Sequence, residues 1–121
     1  MTEEELQASL VTTTPEAERH DLFVEECGDQ DVRVRFSPKS LSSATLLSLA
    51  DVSLRAAAGA RAQLSHLNVT VLRPAQQADV IALSRILRRD GDTVHAECWL
   101  FSHAVVEPVL HATATLALRS L

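Results

Sequence analysis

Residues 41–58, LSSATLLSLADVSLRAAA, decide the fold. The stretch is rich in Leu and Ala and contains no Gly or Pro, so nothing in it breaks a helix. Ser40 or Ser43 is placed to cap its start. Gly59 stands where a left-handed C-terminal cap is wanted. Leu46, Leu47, Leu49, Ala50, Val52 and Leu54 cover most of the helix circumference, and a helix apolar nearly all round is a buried one.

The segments on either side supply what buries it. Upstream, Phe23 and the alternating run Val32 to Phe36 predict a hairpin over 21–36, with Gly28 to Asp31 as its turn and Pro38 ending the pairing. Residues 2–19 predict a short leading helix and a polar connection, in which Thr14 caps a further turn and Pro15 takes its first helical position. Downstream of residue 64 the apolar period changes to two. It predicts strands near 65–73, 79–89, 93–102 and 109–119, with Arg89 to Asp92 as a hairpin turn.

A hairpin, one buried helix and four consecutive strands make an α+β domain: an antiparallel sheet wrapped around a long central helix. We assign residues 1–20 to an N-terminal helical lead and connection, and residues 21–121 to the single domain. A sheet of six strands has two edges and two faces, and one helix covers only one face. Self-association, as a dimer or a dimer of dimers, is the expected way to cover the rest.

Composition narrows the class. At 121 residues the chain is one domain's length, and 46% apolar residues suffice for a core. The net charge of −5 argues against nucleic acid, which calls for a positive stripe. The start, Met1 followed by Thr2 and three Glu, is acidic where a secretory signal is basic, and no apolar run reaches the roughly 18 residues that span a bilayer. A cytoplasmic protein without membrane contact is the expectation. Cys27 and Cys98 lack metal-like spacing and are expected as reduced thiols. The five histidines (His20, His66, His95, His103 and His111) show no zinc spacing, so neither a metal nor a cofactor is expected. Trp99 and Phe101 alternate with Leu100 and share a sheet face, where they serve packing or an interface.

Asp51 is the residue that asks for an explanation. It lies mid-helix among apolar neighbours, where an ionised carboxylate needs a partner. Facing a pocket, it is a candidate general base or nucleophile. Facing solvent, it pairs with Arg55 four residues on. The residues alone leave both readings open.

Several segments bear on the choice. Leu49-Ala50-Asp51-Val52-Ser53 with its Ala-rich continuation resembles the central helix of the phenylacetate-degradation type of hotdog thioesterase. The run from Leu67 to Ala75 resembles that family's next strand. Asp79-Val80 and Arg88 to Gly91 resemble its following hairpin, and His111 to Leu116 its closing strand. The resemblance covers about residues 21–119. It implies a hotdog fold and hydrolysis of an acyl-CoA thioester, with Asp51 as nucleophile or as base for water. A backbone amide at the helix start would polarise the carbonyl, and the site would straddle a dimer interface.

One departure stands out. The family carries His-Gly-Gly nine residues before the aspartate, whereas Ser42, Ser43 and Ala44 stand here. The amides of Ser43 and Ala44 remain oxyanion candidates, because the donor is a peptide N–H at a helix N-terminus. A side chain in place of glycine restricts close approach by a ligand. The altered start gives the alternative reading: a non-catalytic hotdog domain that binds an acyl ligand or supports assembly.

Ser42, Ser65 and His66 are further candidates for polar groups in the pocket, Ser42 alternatively as a capping residue and His66 as a solvent-facing one. A Ser42–His66–Asp51 triad lacks a nucleophile elbow. Arg73, Arg88 and Arg89, together with Arg61, are candidates for the CoA phosphates, or else line a solvated strand edge.

Overall fold

The computed structural model describes residues 2–59, 61–102 and 107–118; His103 and residue 119, the end of the last expected strand, lie outside the described residues. Helices α1 (Glu3–Thr13) and α2 (Pro15–Arg19) lead into strands β1 (Phe23–Cys27) and β2 (Asp31–Phe36). Helix α3 (Ser43–Ala58) follows, then β3 (Gln63–Val71), β4 (Val80–Asp90), β5 (Thr93–Ser102) and β6 (Pro108–Ala117). The strands form one sheet in the order β1-β2-β4-β5-β6-β3. Every neighbouring pair is antiparallel. α3 packs across one face of this sheet, touching β2, β4, β5, β6 and β3. This is the α+β layer pair expected from the helix and its flanking strands.

The ends of α3 differ in detail from expectation. Its cap is Ser42, rather than Ser40 or Ser43: Ser42 is extended and its Oγ accepts from the amide of Thr45 at 3.2 Å. Ser43 is already helical, and Ser40 precedes the first turn by too much to reach it. Gly59 closes the helix at φ +134° and ψ 135°, outside the left-handed helical region but still where a side chain is disfavoured. Its amide donates to the carbonyl of Arg55 at 2.7 Å.

The core lies between α3 and the sheet. Leu49, Val52 and Leu54 of the helix and Val34, Phe36, Val80, Leu100 and Leu116 of the strands are all fully buried. Each such side chain contributes about 1.5–3 kcal/mol relative to its exposed state. Leu6 and Leu10 of α1 join the same core. Ser53, buried on α3, satisfies its hydroxyl by donating to the carbonyl of Leu49 at 2.8 Å. Cys98 sits in this layer, and burial pushes its thiol up to about 12. A thiol so rarely ionised is no nucleophile, and both cysteines are free.

The two sheet edges are treated differently. At β1, the side-chain amide of Gln7 behaves like a neighbouring strand: its Nε2 donates to the carbonyl of Leu22 at 2.9 Å, and its Oε1 accepts from the amide of Val24 at 2.7 Å. At about 0.5–1.5 kcal/mol each, these bonds close that edge. The other edge is β3, most of whose residues are exposed, including Val71 at 61%. It offers unpaired peptide groups beside half-buried Leu67 and Val69.

Candidate functional site

Asp51 lies on the one stripe of α3 that the chain leaves uncovered. Ala44 and Leu47 are exposed, and Ser48, Asp51 and Arg55 are half-buried. They recur at helical spacing, so they line up along the side turned from the sheet. Arg55 Nε donates to Asp51 Oδ1 at 3.1 Å, and Arg55 Nη2 donates to Oδ2 at 3.3 Å. The Asp51 side chain is 33% exposed and that of Arg55 19%. Of the two arrangements the residues left open, the single chain shows the second: Asp51 faces outward and pairs with Arg55.

The start of α3 has donors to spare. Ser42 Oγ takes the amide of Thr45, and it also lies 3.0 Å from Thr45 Oγ1, so Ser42 is a capping residue. The amides of Ser43 and Ala44 precede the first intrahelical bond, which runs from Leu46 N to Ser42 O. No acid occupies the first turn to neutralise the positive end of the helix dipole. These two amides suit an oxyanion. Asp51 lies seven residues from Ala44, about 10 Å along the axis.

β3 carries two further candidates. A register shift between Leu64 and His66 leaves Ser65 as the extra residue of a bulge. Its hydroxyl donates to the carbonyl of Thr115 at 2.9 Å. His66 pairs with Thr115, between the buried, helix-facing Ala114 and Leu116. His66 therefore shares the outer sheet face and points away from α3. The inward positions are Leu64, Leu67, Val69 and Val71, all apolar.

The arginines do not gather. Arg73 follows the end of β3 that pairs Val71 with Leu110, and it meets Glu107 at 2.7 Å. Arg88 and Arg89 lie by the β4–β5 turn, where Asp90 pairs with Thr93 and Thr93 with Ala117, at the opposite end of the sheet. Arg88 is paired with Asp90 at 2.9 Å, while Arg89 is exposed. Within one chain they cannot hold the same phosphate. Arg61 is exposed in the turn before β3.

The outer face carries a charged cluster that sequence reasoning missed. Glu97, only 8% exposed, accepts from Arg85 Nε and lies 3.0 Å from His111 Nε2. The Trp99 ring lies over His111 with centroids 4.0 Å apart. A groove of about 320 Å³ beside it is lined in part by Arg33, Leu83, Arg85 and Trp99. Burial pushes the Glu97 carboxyl up, but hydrogen bonds from His111 and Arg85 outweigh it and hold the group below its ordinary value of 4.5. Because the folded value is the lower one, this stabilisation is complete above the unfolded range. It is lost as pH falls through the folded value. Glu97→Gln is therefore expected to flatten the decline of stability with acid below pH about 4.5. Urea unfolding at stepped pH checks this; an unchanged slope removes the linkage. Among the described residues no group of three or more His, Cys, Asp or Glu is placed to hold a metal ion, and no helix is long and apolar enough to cross a membrane.

No protein-family model matches the chain, and no curated protein matches it by sequence. Solved structures do match. A candidate thioesterase from Silicibacter sp. TM1040 superposes with a TM-score of 0.86 at 19% identity, over 99% of this chain and 93% of that one. A phenylacetic acid degradation-related candidate thioesterase from Ralstonia eutropha JMP134 gives 0.83 at 15%, over 98% and 100%. Thioesterase superfamily member 2 from Mus musculus gives 0.83 at 12%, over 97% of each chain. At these identities the likeness establishes the fold: the chain is a hotdog domain, as the resemblance of its segments implied.

Proposed function

We propose that this hotdog chain is an acyl-CoA thioesterase whose site is built by two copies. The observation that carries the reading is the placing of Asp51 on the uncovered stripe of α3, in a chain whose fold is shared with thioesterases and whose β3 edge is open. Catalysis requires the base or nucleophile and the oxyanion donors to lie within about 3 Å of one reacting carbonyl group. The roughly 10 Å between Asp51 and Ala44 on one helix prevents a single α3 from supplying both. Two copies joined edge to edge through β3 bring a second α3 alongside, so that Asp51 of one faces the helix start of the other.

The chemistry follows from those two groups. Asp51 takes a proton from water as its oxygen adds to the thioester carbonyl, or adds to that carbon itself. The amides of Ser43 and Ala44 hold the oxyanion that forms. In the first route collapse expels CoA, which takes back the proton held by Asp51 and leaves as its thiol beside the free acid. In the second, collapse expels CoA as a thiolate that water protonates and leaves an acyl-aspartate anhydride, which water hydrolyses to the free acid and Asp51. Of the arginines, Arg73 lies at the helix-start end of the sheet, since β2 enters α3 from the end where Phe36 pairs with Val80. That makes it the better candidate for a CoA phosphate than Arg88 or Arg89.

A second reading has its own support. Ser43 and Ala44 carry side chains where the resembling family has glycine, and Arg55 already occupies both Asp51 oxygens. Those features suit a domain that binds an acyl thioester without cleaving it. Thiol release from acetyl-, hexanoyl-, palmitoyl- and phenylacetyl-CoA separates the two readings. Turnover of at least one is expected; binding without release on all four selects the second reading.

A further inference from the structure

We propose that Arg55 is a positioning residue for Asp51, an inference that rests on the thioesterase reading above. Asp51 and Arg55 are the only acid and the only base on α3. Their contact is a two-point fork, Nε to Oδ1 and Nη2 to Oδ2, which fixes the plane of the carboxylate as well as its distance. Arg55 is the better buried of the two, at 19% against 33%, although arginine is the longer side chain and ordinarily the more mobile one. Its stem is packed, so its head is held. Both bonds come from the turn after Asp51, and each carboxylate oxygen keeps a lone pair on its remaining side.

The surroundings give the fork a purpose. Ala50 and Val52 flank Asp51 in sequence and are fully buried, and Leu47 stands one turn away along the same stripe. When a second copy covers that stripe, water leaves, and a lone carboxylate enclosed there would be costly. Arg55 supplies the counter-charge, so the carboxylate keeps its orientation in the assembled site. Lysine cannot reproduce this, because it offers a point charge and no planar fork.

The test compares Arg55→Met and Arg55→Lys with wild type, following thiol release from whichever of the four CoA esters wild type turns over. Misplacement of a reacting group by about 1 Å costs on the order of 10²-fold. Arg55→Met is expected to lower kcat by about 10–100-fold with KM within about threefold, and Arg55→Lys to restore part of the loss. In the Asp51→Asn background, Arg55→Met should produce no further loss, because two residues acting through one group are not additive. Unchanged or raised kcat in Arg55→Met overturns the positioning role. So does a rise in KM alone, which would make Arg55 a substrate contact. If Arg55→Met does not fold, Arg55→Lys decides: full wild-type kcat overturns the proposal. Full turnover by Asp51→Asn instead removes the thioesterase mechanism itself, a different failure.

Discussion

Asp51→Asn is expected to lower thioester hydrolysis by about 10²–10⁴-fold, the usual cost of losing a general base. Asn keeps the size and shape of the side chain and removes its basicity and charge. The helix should tolerate the change, because Asp51 is half-buried and its partner among the described residues is Arg55, on the same helix. An ion pair of that exposure contributes under about 1 kcal/mol. The variant should therefore melt close to wild type and retain its oligomeric state. Hydrolysis by the pure protein, with circular dichroism as the folding control, checks this. Full activity in a folded Asp51→Asn protein would remove Asp51 from the mechanism and leave its pairing with Arg55 as its whole role.

A lysine in the middle of β3 should separate the copies and silence both sites. Val69 is on the helix-facing side of the edge strand, half-buried and packed against the core, and it pairs with Ala112 of β6. A charge pointing inward from an edge strand is a device by which proteins prevent strand addition. With the β1 edge already closed by Gln7, β3 is the edge left for pairing. Val69→Lys is expected to shift the mass in light scattering to that of a single 13.2 kDa chain. Hydrolysis should fall by about 10²-fold or more, since losing even one oxyanion donor has that effect. Full activity at the monomer mass would show that one chain suffices.

α3 was legible in sequence because its signal is local: sixteen residues without a breaker, followed by Gly59. The four strands after α3 were legible to within two residues for the same reason, apart from the expected end of the last one at 119, which lies outside the described residues. The Asp51–Arg55 pair was readable too, because four residues on a helix is a contact distance. What failed to show depends on residues far apart in the chain. Ser65 and His66 were placed by a bulge whose partner, Thr115, lies fifty residues on. The β1 edge is closed by Gln7, fifteen residues from Leu22 and seventeen from Val24, and no periodicity announces it. Glu97 meets Arg85 and His111 across two strand pairings, so its burial on an outer face has no signature in the alternation of β5. The arginines looked like one group because two of them are adjacent in sequence, yet antiparallel pairing puts Arg73 at the far end from Arg88 and Arg89.

The claim that one site takes Asp51 from one copy and the helix-start amide from the other is tested most directly by mixed dimers. Asp51→Asn removes the carboxylate. Proline at 43 or 44, tolerated in a first helical turn, removes the amide donor. Each variant alone is expected to be inactive. In a dimer of one Asp51→Asn chain and one Ala44→Pro or Ser43→Pro chain, one of the two sites has both groups intact. Random assembly of equal amounts should then recover about a quarter of wild-type activity, as two-fold symmetry requires. Mixed dimers no more active than their parents would contradict the shared site.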